Sequence, residues 1–168
     1  MALPDISASC DPRSPNNVGE RYAAWWNTYV AHHHRQRIGV DEREHTFMTG
    51  DDCYYLRCVF LHQGIDTLQH NQVRRTVERF YFVQPEPGSM IHRNQVNEIL
   101  QLQVDMFCDE ICQGVEAWLK AEGQRSEVAE RIDKLMKIDS AIGGVTIPLL
   151  PQPMTSMTAR SATSRKLI

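Results

Sequence analysis

A stripe of seven apolar residues in the second half of the chain constrains the fold more than any other feature. Its members follow one another at intervals of 4, 4, 3, 4, 4 and 3: Val96, Leu100, Val104, Phe107, Ile111, Val115 and Trp118. This spacing puts all of them on one face of an α-helix. The opposite side carries acidic residues: Glu98, Asp105, Asp109, Glu110 and Glu116. We therefore predict a helix over 92–122 that ends at Gly123 and exposes an acidic face.

A second stripe predicts a helix over 17–37. Asn16 or Asn17 would cap its start, and Gly39 is a residue type that commonly follows a helix end. The stripe residues recur at intervals of three and four and are Val18, Tyr22, Trp25, Trp26, Tyr29, Val30 and His33.

The middle of the chain is predicted to be helical as well. Thr49 and Asp52 have the spacing of a capping box, in which each residue bonds the backbone N–H of the other. The residues expected to face the core of the helix that follows are Tyr55, Leu56, Val59, Phe60 and Leu61. Gly64 favours a break before a third helix over 66–83, and one kinked helix over 52–83 is the alternative. A last helix is expected from Ser126 to Gly143.

These helices predict the fold class and the domain organisation. No segment alternates apolar and polar residues for more than a few positions, so we expect an all-α protein. The predicted architecture is a small antiparallel bundle of four to five helices over 17–144. An extended N-terminal arm over 1–16 and a proline-spaced, Ser/Thr-rich C-terminal arm over 145–168 would flank the bundle.

Composition and motifs exclude several functional classes. With 18 basic and 21 acidic residues among 168, the chain lacks the basic surplus of a nucleic-acid-binding protein, and no apolar run is long enough to span a membrane. The first residues resemble neither a signal peptide nor a presequence, so we expect an intracellular protein. The common hydrolase, nucleotide-binding and zinc-protease motifs are missing, and His32–His34 are consecutive on a predicted helix, so they would diverge and could not share an ion. We therefore expect no enzyme activity.

The five cysteines leave three interpretations open. Buried free thiols are the simplest. If the second and the long helix pack antiparallel, zinc could be held by four residues: Cys58, His62, Cys108 and Cys112. Alternatively, Cys53 could pair with Cys112 and Cys58 with Cys108. Such nested disulfides are similar to those of the coiled-coil-helix hairpin proteins of the mitochondrial intermembrane space, although the spacing between the cysteines differs.

The remaining features favour contacts with other proteins. Trp25 and Trp26 are adjacent, so we expect one of them at the rim of the bundle, where Trp is common in interfaces. No acidic residue follows Asp139, so the C-terminal arm is basic and would lie on an acidic protein surface. The arm residues expected to bind partners are Pro148, Leu149, Leu150, Arg160, Arg165 and Lys166.

Two functional hypotheses follow from these features. The first is a non-catalytic structural or adaptor subunit of a large intracellular assembly, which we place in the cytoskeleton or axoneme. The second is a metal- or redox-linked helical protein, with a mitochondrial location reached without a cleaved presequence. Identification of co-purifying proteins would discriminate between them.

Overall fold

The computed structural model describes residues 1–63 and 79–135, which belong to one structural unit that runs from Met1 to Leu135. These residues form five α-helices and five β-strands, so the predicted all-α fold class is wrong and the fold is mixed α/β. In chain order the elements are α1 (Leu3–Cys10), α2 (Val18–Tyr29), a 3₁₀ turn (Ala31–His34), β1 (Arg35–Ile38), β2 (Arg43–Thr46), α3 (Gly50–Gln63), β3 (Arg79–Val83), β4 (Asn94–Val96), β5 (Ile99–Gln103), α4 (Val104–Glu122) and α5 (Ser126–Asp133).

The strands form two separate sheets. β1 and β2 pair antiparallel, and we call the segment 35–46 that contains them the hairpin. The other sheet has the order β3-β5-β4, with β3 parallel and β4 antiparallel to the central strand β5. β5 runs directly into α4, so the end of the central strand fixes where the longest helix begins.

The core lies between the helices and one face of the three-stranded sheet. Helix α2 contacts α1, α3 and α4, and Trp26 on α2 is fully buried. On the sheet, Phe80, Leu100 and Leu102 are fully buried. Phe107 of α4 connects the two layers, because its ring centroid lies 6.1 Å from that of Trp26 and 5.8 Å from that of Phe82. Burial of these large side chains is the main source of stability.

The long helix predicted over 92–122 is correct only in its second half. Residues 94–96 and 99–103 are strands, and α4 begins at Val104. The interval of four from Val96 to Leu100 fits a helix, but the two residues lie on different strands, β4 and β5, with a turn between them. The sequence Leu100-Gln101-Leu102-Gln103 alternates apolar and polar residues, and this short signal marks β5.

The helix predicted over 17–37 begins correctly and ends early. The Asn17 side chain accepts a hydrogen bond from the Glu20 N–H at 3.1 Å, as expected for a cap. The helix ends at Tyr29, and residues 35–38 are a strand of the hairpin. Every residue over 35–44 is exposed, so neither face of the hairpin needs apolar side chains. The alternation that identifies half-buried strands is therefore missing.

Residues 1–16 do not form the predicted extended arm. Leu3–Cys10 are helical, with Pro4 in the first turn, where its missing N–H has no helical partner to lose. Ala8 and Cys10 are buried in the core. The proline that suggested an extended chain is here a helix-starting residue.

The capping box before α3 is confirmed. Asp52 Oδ2 accepts from the Thr49 N–H at 2.8 Å, and Thr49 Oγ1 accepts from the Asp52 N–H at 3.2 Å. Leu56 and Val59 face the core as predicted, whereas Phe60 and Leu61 are about half exposed. Residues 79–83, expected at the end of a helix, are strand β3.

The last described helix, α5, matches the start of the helix predicted from Ser126. Its Val128 is fully buried. The predicted break at Gly64 and the C-terminal arm over 145–168 lie outside the described residues. Across 1–63 and 79–135, none of the helices combines the length and the apolar character needed to cross a bilayer.

Candidate functional site: a buried histidine–glutamate cluster below an exposed hairpin

Glu110 of α4 holds two histidines from distant parts of the chain. Its Oε1 lies 3.0 Å from His92 Nε2, and its Oε2 lies 3.1 Å from His34 Nε2. The exposed fractions of the three side chains are 8% for Glu110, 1% for His92 and 0% for His34. Arg93 brings its Nε to 3.9 Å from Oε1. We call these four residues the histidine–glutamate cluster.

The backbone fixes the protonation of His92. The Gln103 N–H, at the end of β5, donates to His92 Nδ1 at 3.2 Å. Because Nδ1 accepts this bond, it carries no proton, and the ring hydrogen must be on Nε2. His92 is therefore a neutral imidazole that donates to Glu110 Oε1 at 3.0 Å.

His34 is held less completely. Although His34 Nε2 and Glu110 Oε2 are close, they are not aligned as a hydrogen bond, and His34 Nδ1 also has no hydrogen-bond partner among the described residues. The rings around it are those of Trp26, at 5.3 Å between centroids, and Phe107, at 6.3 Å. Burial lowers the pKa of His34 below its ordinary value, against the opposing pull of Glu110.

Glu110 is the negative charge of the cluster. Burial alone would raise its pKa, but the two neighbouring imidazoles, His34 first and then His92, outweigh burial and lower the pKa to about 2. The carboxylate is therefore ionised at neutral pH. Its charge is balanced by the Arg93 guanidinium, so the cluster as a whole is close to electrically neutral.

The cluster lies directly at the base of the hairpin. The C=O of His34 accepts from the Phe47 N–H at 2.8 Å, and this bond joins the residues that flank the two strands. Arg93 Nη1 donates to the C=O of His33. Arg93 itself adopts a φ of 52°, a left-handed conformation that non-glycine residues seldom use. The loop before β4 is therefore held in a strained conformation that brings Arg93 to the 3₁₀ turn.

Above this base, the hairpin extends into solvent. Val40 in its turn is completely exposed and Ile38 is 47% exposed. Its ion pairs are short-range and lie on the surface, such as Arg37 with Glu42 at 3.4 Å. His45 is the exception, because its Nε2 lies 2.9 Å from Gln95 Oε1 on β4 and its ring packs edge-on against Phe47.

A cavity at the ends of β3 and β5 lies close to the cluster in the sequence but does not include its imidazoles. The cavity nearest in sequence, about 420 Å³, is lined by residues 83–89 and 103–105 and does not include His34, His92 or Glu110. Ligands often bind at the carboxyl ends of parallel strands, where this cavity lies. Its central Gln103 is already occupied, since its side-chain oxygen accepts from the Ile91 N–H at 3.2 Å.

The cluster is also unsuited to a metal ion. A metal-bound imidazole nitrogen carries no proton, whereas the Gln103 N–H keeps the proton of His92 on the nitrogen that faces Glu110. Among the described residues there is no group of three or more His, Cys, Asp or Glu side chains that could hold an ion.

The candidate zinc ligands are not brought together in the described residues. Cys108 and Cys112 lie on the exposed side of α4, and Cys58 is partly buried on α3. The His62 side chain lies outside the described part of the structure. All five cysteines are free thiols, so the nested disulfides are not formed. Only Cys10 and Cys53 are buried; burial raises the pKa of the Cys53 thiol to about 12, and Tyr22 Oη lies 3.3 Å from its Sγ.

The predicted partner-binding residues have different outcomes. Trp25 is 5% exposed and Trp26 is 0% exposed, so both indoles are core residues and neither lies at the rim. The residues predicted in the C-terminal arm lie outside the described residues: Pro148, Leu149, Leu150, Arg160, Arg165 and Lys166.

The sequence does not predict the cluster. Glu110 is expected on the exposed acidic face of the long helix, but it lies next to Ile111 and three positions after Phe107, within the buried stripe of α4. That position was the available signal, because an acidic residue on the core side of a helix needs buried partners. For His34, the run of three consecutive histidines does not indicate which of the rings faces the core.

Comparison with protein-family models, with curated proteins and with solved structures found no match.

Proposed function

We propose that this protein is a non-catalytic interaction subunit of a larger multiprotein assembly, and that the hairpin is the element that contacts its partner. The observation that carries the proposal is the exposure of ten consecutive residues, 35–44, on a hairpin whose base is buried. The adaptor hypothesis is retained, and the hairpin replaces the tryptophans as the contact surface.

The energetics of an isolated hairpin support this proposal. A two-stranded ribbon without a buried face contributes little to the stability of a fold. Its strand edges offer free N–H and C=O groups to an added strand, a common mode of peptide recognition. The apolar Ile38 and Val40 near its turn are 47% and 102% exposed, and a partner would remove them from water. Because the hairpin adds little to the stability of the fold, we attribute it to a contact with another protein.

The location of the assembly is part of the same proposal. We place it in the cytoskeleton or axoneme of the cytoplasm, with the mitochondrion as the alternative. The basic C-terminal arm is proposed to add a second contact, with an acidic protein surface, through Arg160, Arg165 and Lys166.

The test is an affinity purification of the full-length tagged chain with quantitative identification of co-purifying proteins. The test variant is Ile38→Asp combined with Val40→Asp, which places two charges on the hairpin turn region. Leu119→Asp combined with Leu135→Asp is the matched control, because both residues are 40% exposed and lie outside the hairpin. Leu119 is on α4, and Leu135 follows α5. We expect a defined partner set to be kept by wild type and control and lost with the hairpin variant.

Thermal unfolding of all three proteins separates loss of binding from loss of folding. Exposed substitutions change stability by about 0.5 kcal/mol or less, so the melting temperatures should agree. A partner set that the hairpin variant keeps in full would refute the role of the hairpin. A set that the control loses equally would show that the added charge, and not the hairpin, was responsible.

A further inference from the structure

We propose that the histidine–glutamate cluster is an acid-operated latch, in which a proton taken up by His34 opens the base of the hairpin. The latch is a property of the isolated chain, and it stands whether or not the hairpin binds a partner. Its components are the buried ring of His34, the carboxylate of Glu110 and the backbone bonds of residues 33 and 34.

His34 is the member of the cluster that can accept a proton in mild acid. In His92 the Nδ1 atom already accepts from the Gln103 N–H and Nε2 faces Glu110, so this ring has no free nitrogen. Glu110 shares its Oε1 with the His92 donor and Arg93, and its pKa of about 2 keeps it ionised far below neutral pH. His34 Nδ1 has no hydrogen-bond partner among the described residues, so it is free to bind a proton.

The surroundings of His34 resist the charge that a proton would bring. From α4 it faces Glu110; from the loop before β4 it faces His92 and Arg93; in its own segment the next titratable group is His33. From α2 the apolar ring of Trp26 packs against it. The single carboxylate already balances Arg93, which is 32% exposed, so a protonated His34 would add a positive charge on a ring that is itself fully buried.

Opening relieves this cost and releases the hairpin. His34 can reach water only if its segment moves, and the same segment carries the C=O groups that hold Phe47 and Arg93. The open state binds one more proton than the closed state, so its population rises about tenfold for each pH unit below the ordinary histidine pKa. Local opening of this kind leaves the rest of the core folded.

The experiment is amide hydrogen exchange of the full-length protein by NMR, between about pH 7 and pH 5, with each rate expressed relative to an unstructured peptide at the same pH. We expect protection of the Phe47 amide to fall about tenfold per pH unit below about pH 6. The Gly123 amide, which donates to the Leu119 C=O at the far end of α4, should keep its protection. Equal loss at both amides would overturn the latch, because it would report global unfolding.

Two histidine variants assign the effect. His34→Gln removes the proton acceptor and should make Phe47 protection independent of pH, whereas His45→Gln, in the hairpin but outside the cluster, should leave the tenfold dependence intact. If His34→Gln does not fold, the imidazole resonances of the wild-type protein provide the test. The pH range in which the ring of His34 becomes protonated must coincide with the range in which the Phe47 amide loses protection. Protonation without opening, or opening that His34→Gln retains, would refute the proposal.

Discussion

The hairpin and the base beneath it contrast in charge pairing and in burial. The buried His34 and the exposed Gln36 are nevertheless only two positions apart in the sequence. In the hairpin, charged groups pair with near neighbours in water, as Arg37 does with Glu42. In the base, Glu110 binds residues 76 and 18 positions away in a site that excludes solvent. Surface pairs of the first kind contribute little, whereas breaking a buried network of the second kind costs several kcal/mol. Sequence distance and burial, not the number of charges, decide which polar groups hold this fold together.

The strongest test of this contrast removes the carboxylate of the base. Glu110→Ala leaves His34, His92 and Arg93 without the carboxylate that lies close to all three, and we expect a loss of about 4 kcal/mol in the free energy of unfolding. Urea unfolding followed by circular dichroism measures it. Glu116→Ala, on the exposed side of the same helix, is the control and should cost at most about 0.5 kcal/mol. Similar losses for both variants would show that the cluster contributes no more to the free energy of unfolding than an exposed glutamate does.

Low pH should also reduce the stability that the histidine–glutamate cluster contributes, by an amount comparable to the cost of removing the carboxylate. The pKa of Glu110 is lowered from 4.5 to about 2, so the carboxylate contributes stability above about pH 4.5 that is lost as the pH falls toward 2. His34, whose pKa is also lowered, adds a smaller loss that begins when the pH falls below 6.5, because the unfolded chain then binds its proton first. The Glu110 part of this loss amounts to about 3 kcal/mol.

Urea unfolding at a series of pH values tests this expectation. Glu110→Gln cannot ionise, so its stability should fall less steeply than that of wild type between pH 4.5 and about 2. Parallel curves for the two proteins would assign the acid sensitivity to other carboxylates. Asp11, whose pKa is lowered to about 2 by Arg13 and Arg125 despite partial burial, is the main such group.

How much of this contrast the sequence could predict depends on how each element is stabilised. Elements with one buried face were predictable: the apolar stripe gave the second half of α4, and Thr49 with Asp52 gave the start of α3. The hairpin was not predictable, because both of its faces are exposed and its sequence does not alternate apolar and polar residues. The cluster was not, because its members come from three separate segments and only the fold brings them together.

The hairpin and the helical core should also differ in their response to an added methyl group. A Cβ on Gly50 would lie 2.5 Å from the backbone oxygen of Ala23, where α2 and α3 approach closely. We expect Gly50→Ala to cost about 2 kcal/mol or more, since backbone must shift. A Cβ on Gly39 would meet nothing within 4 Å, but its φ of 81° disfavours side chains. Gly39→Ala should cost about 1 kcal/mol, and mainly within the hairpin.

Chemical denaturation measures the first loss, and amide exchange locates the second. In Gly39→Ala, exchange should accelerate in the hairpin and stay unchanged at the Cys53 amide, which donates to the Thr49 C=O at the start of α3. If Gly39→Ala instead lowered the stability of the whole unit as much as Gly50→Ala, the hairpin would be an integral part of the core. The distinction between the hairpin and the helical core would then fail.

The smallest expected effect is the most informative about function. Val40 is completely exposed in the hairpin turn, so Val40→Asp removes no buried surface from the isolated protein. We expect its free energy of unfolding to match wild type within about 0.5 kcal/mol. A residue whose substitution leaves folding intact but removes a binding partner acts at an interface, because stability can no longer explain the loss. A destabilisation above about 1 kcal/mol would instead mean that the turn packs against this chain, and the hairpin would lose its status as a free surface.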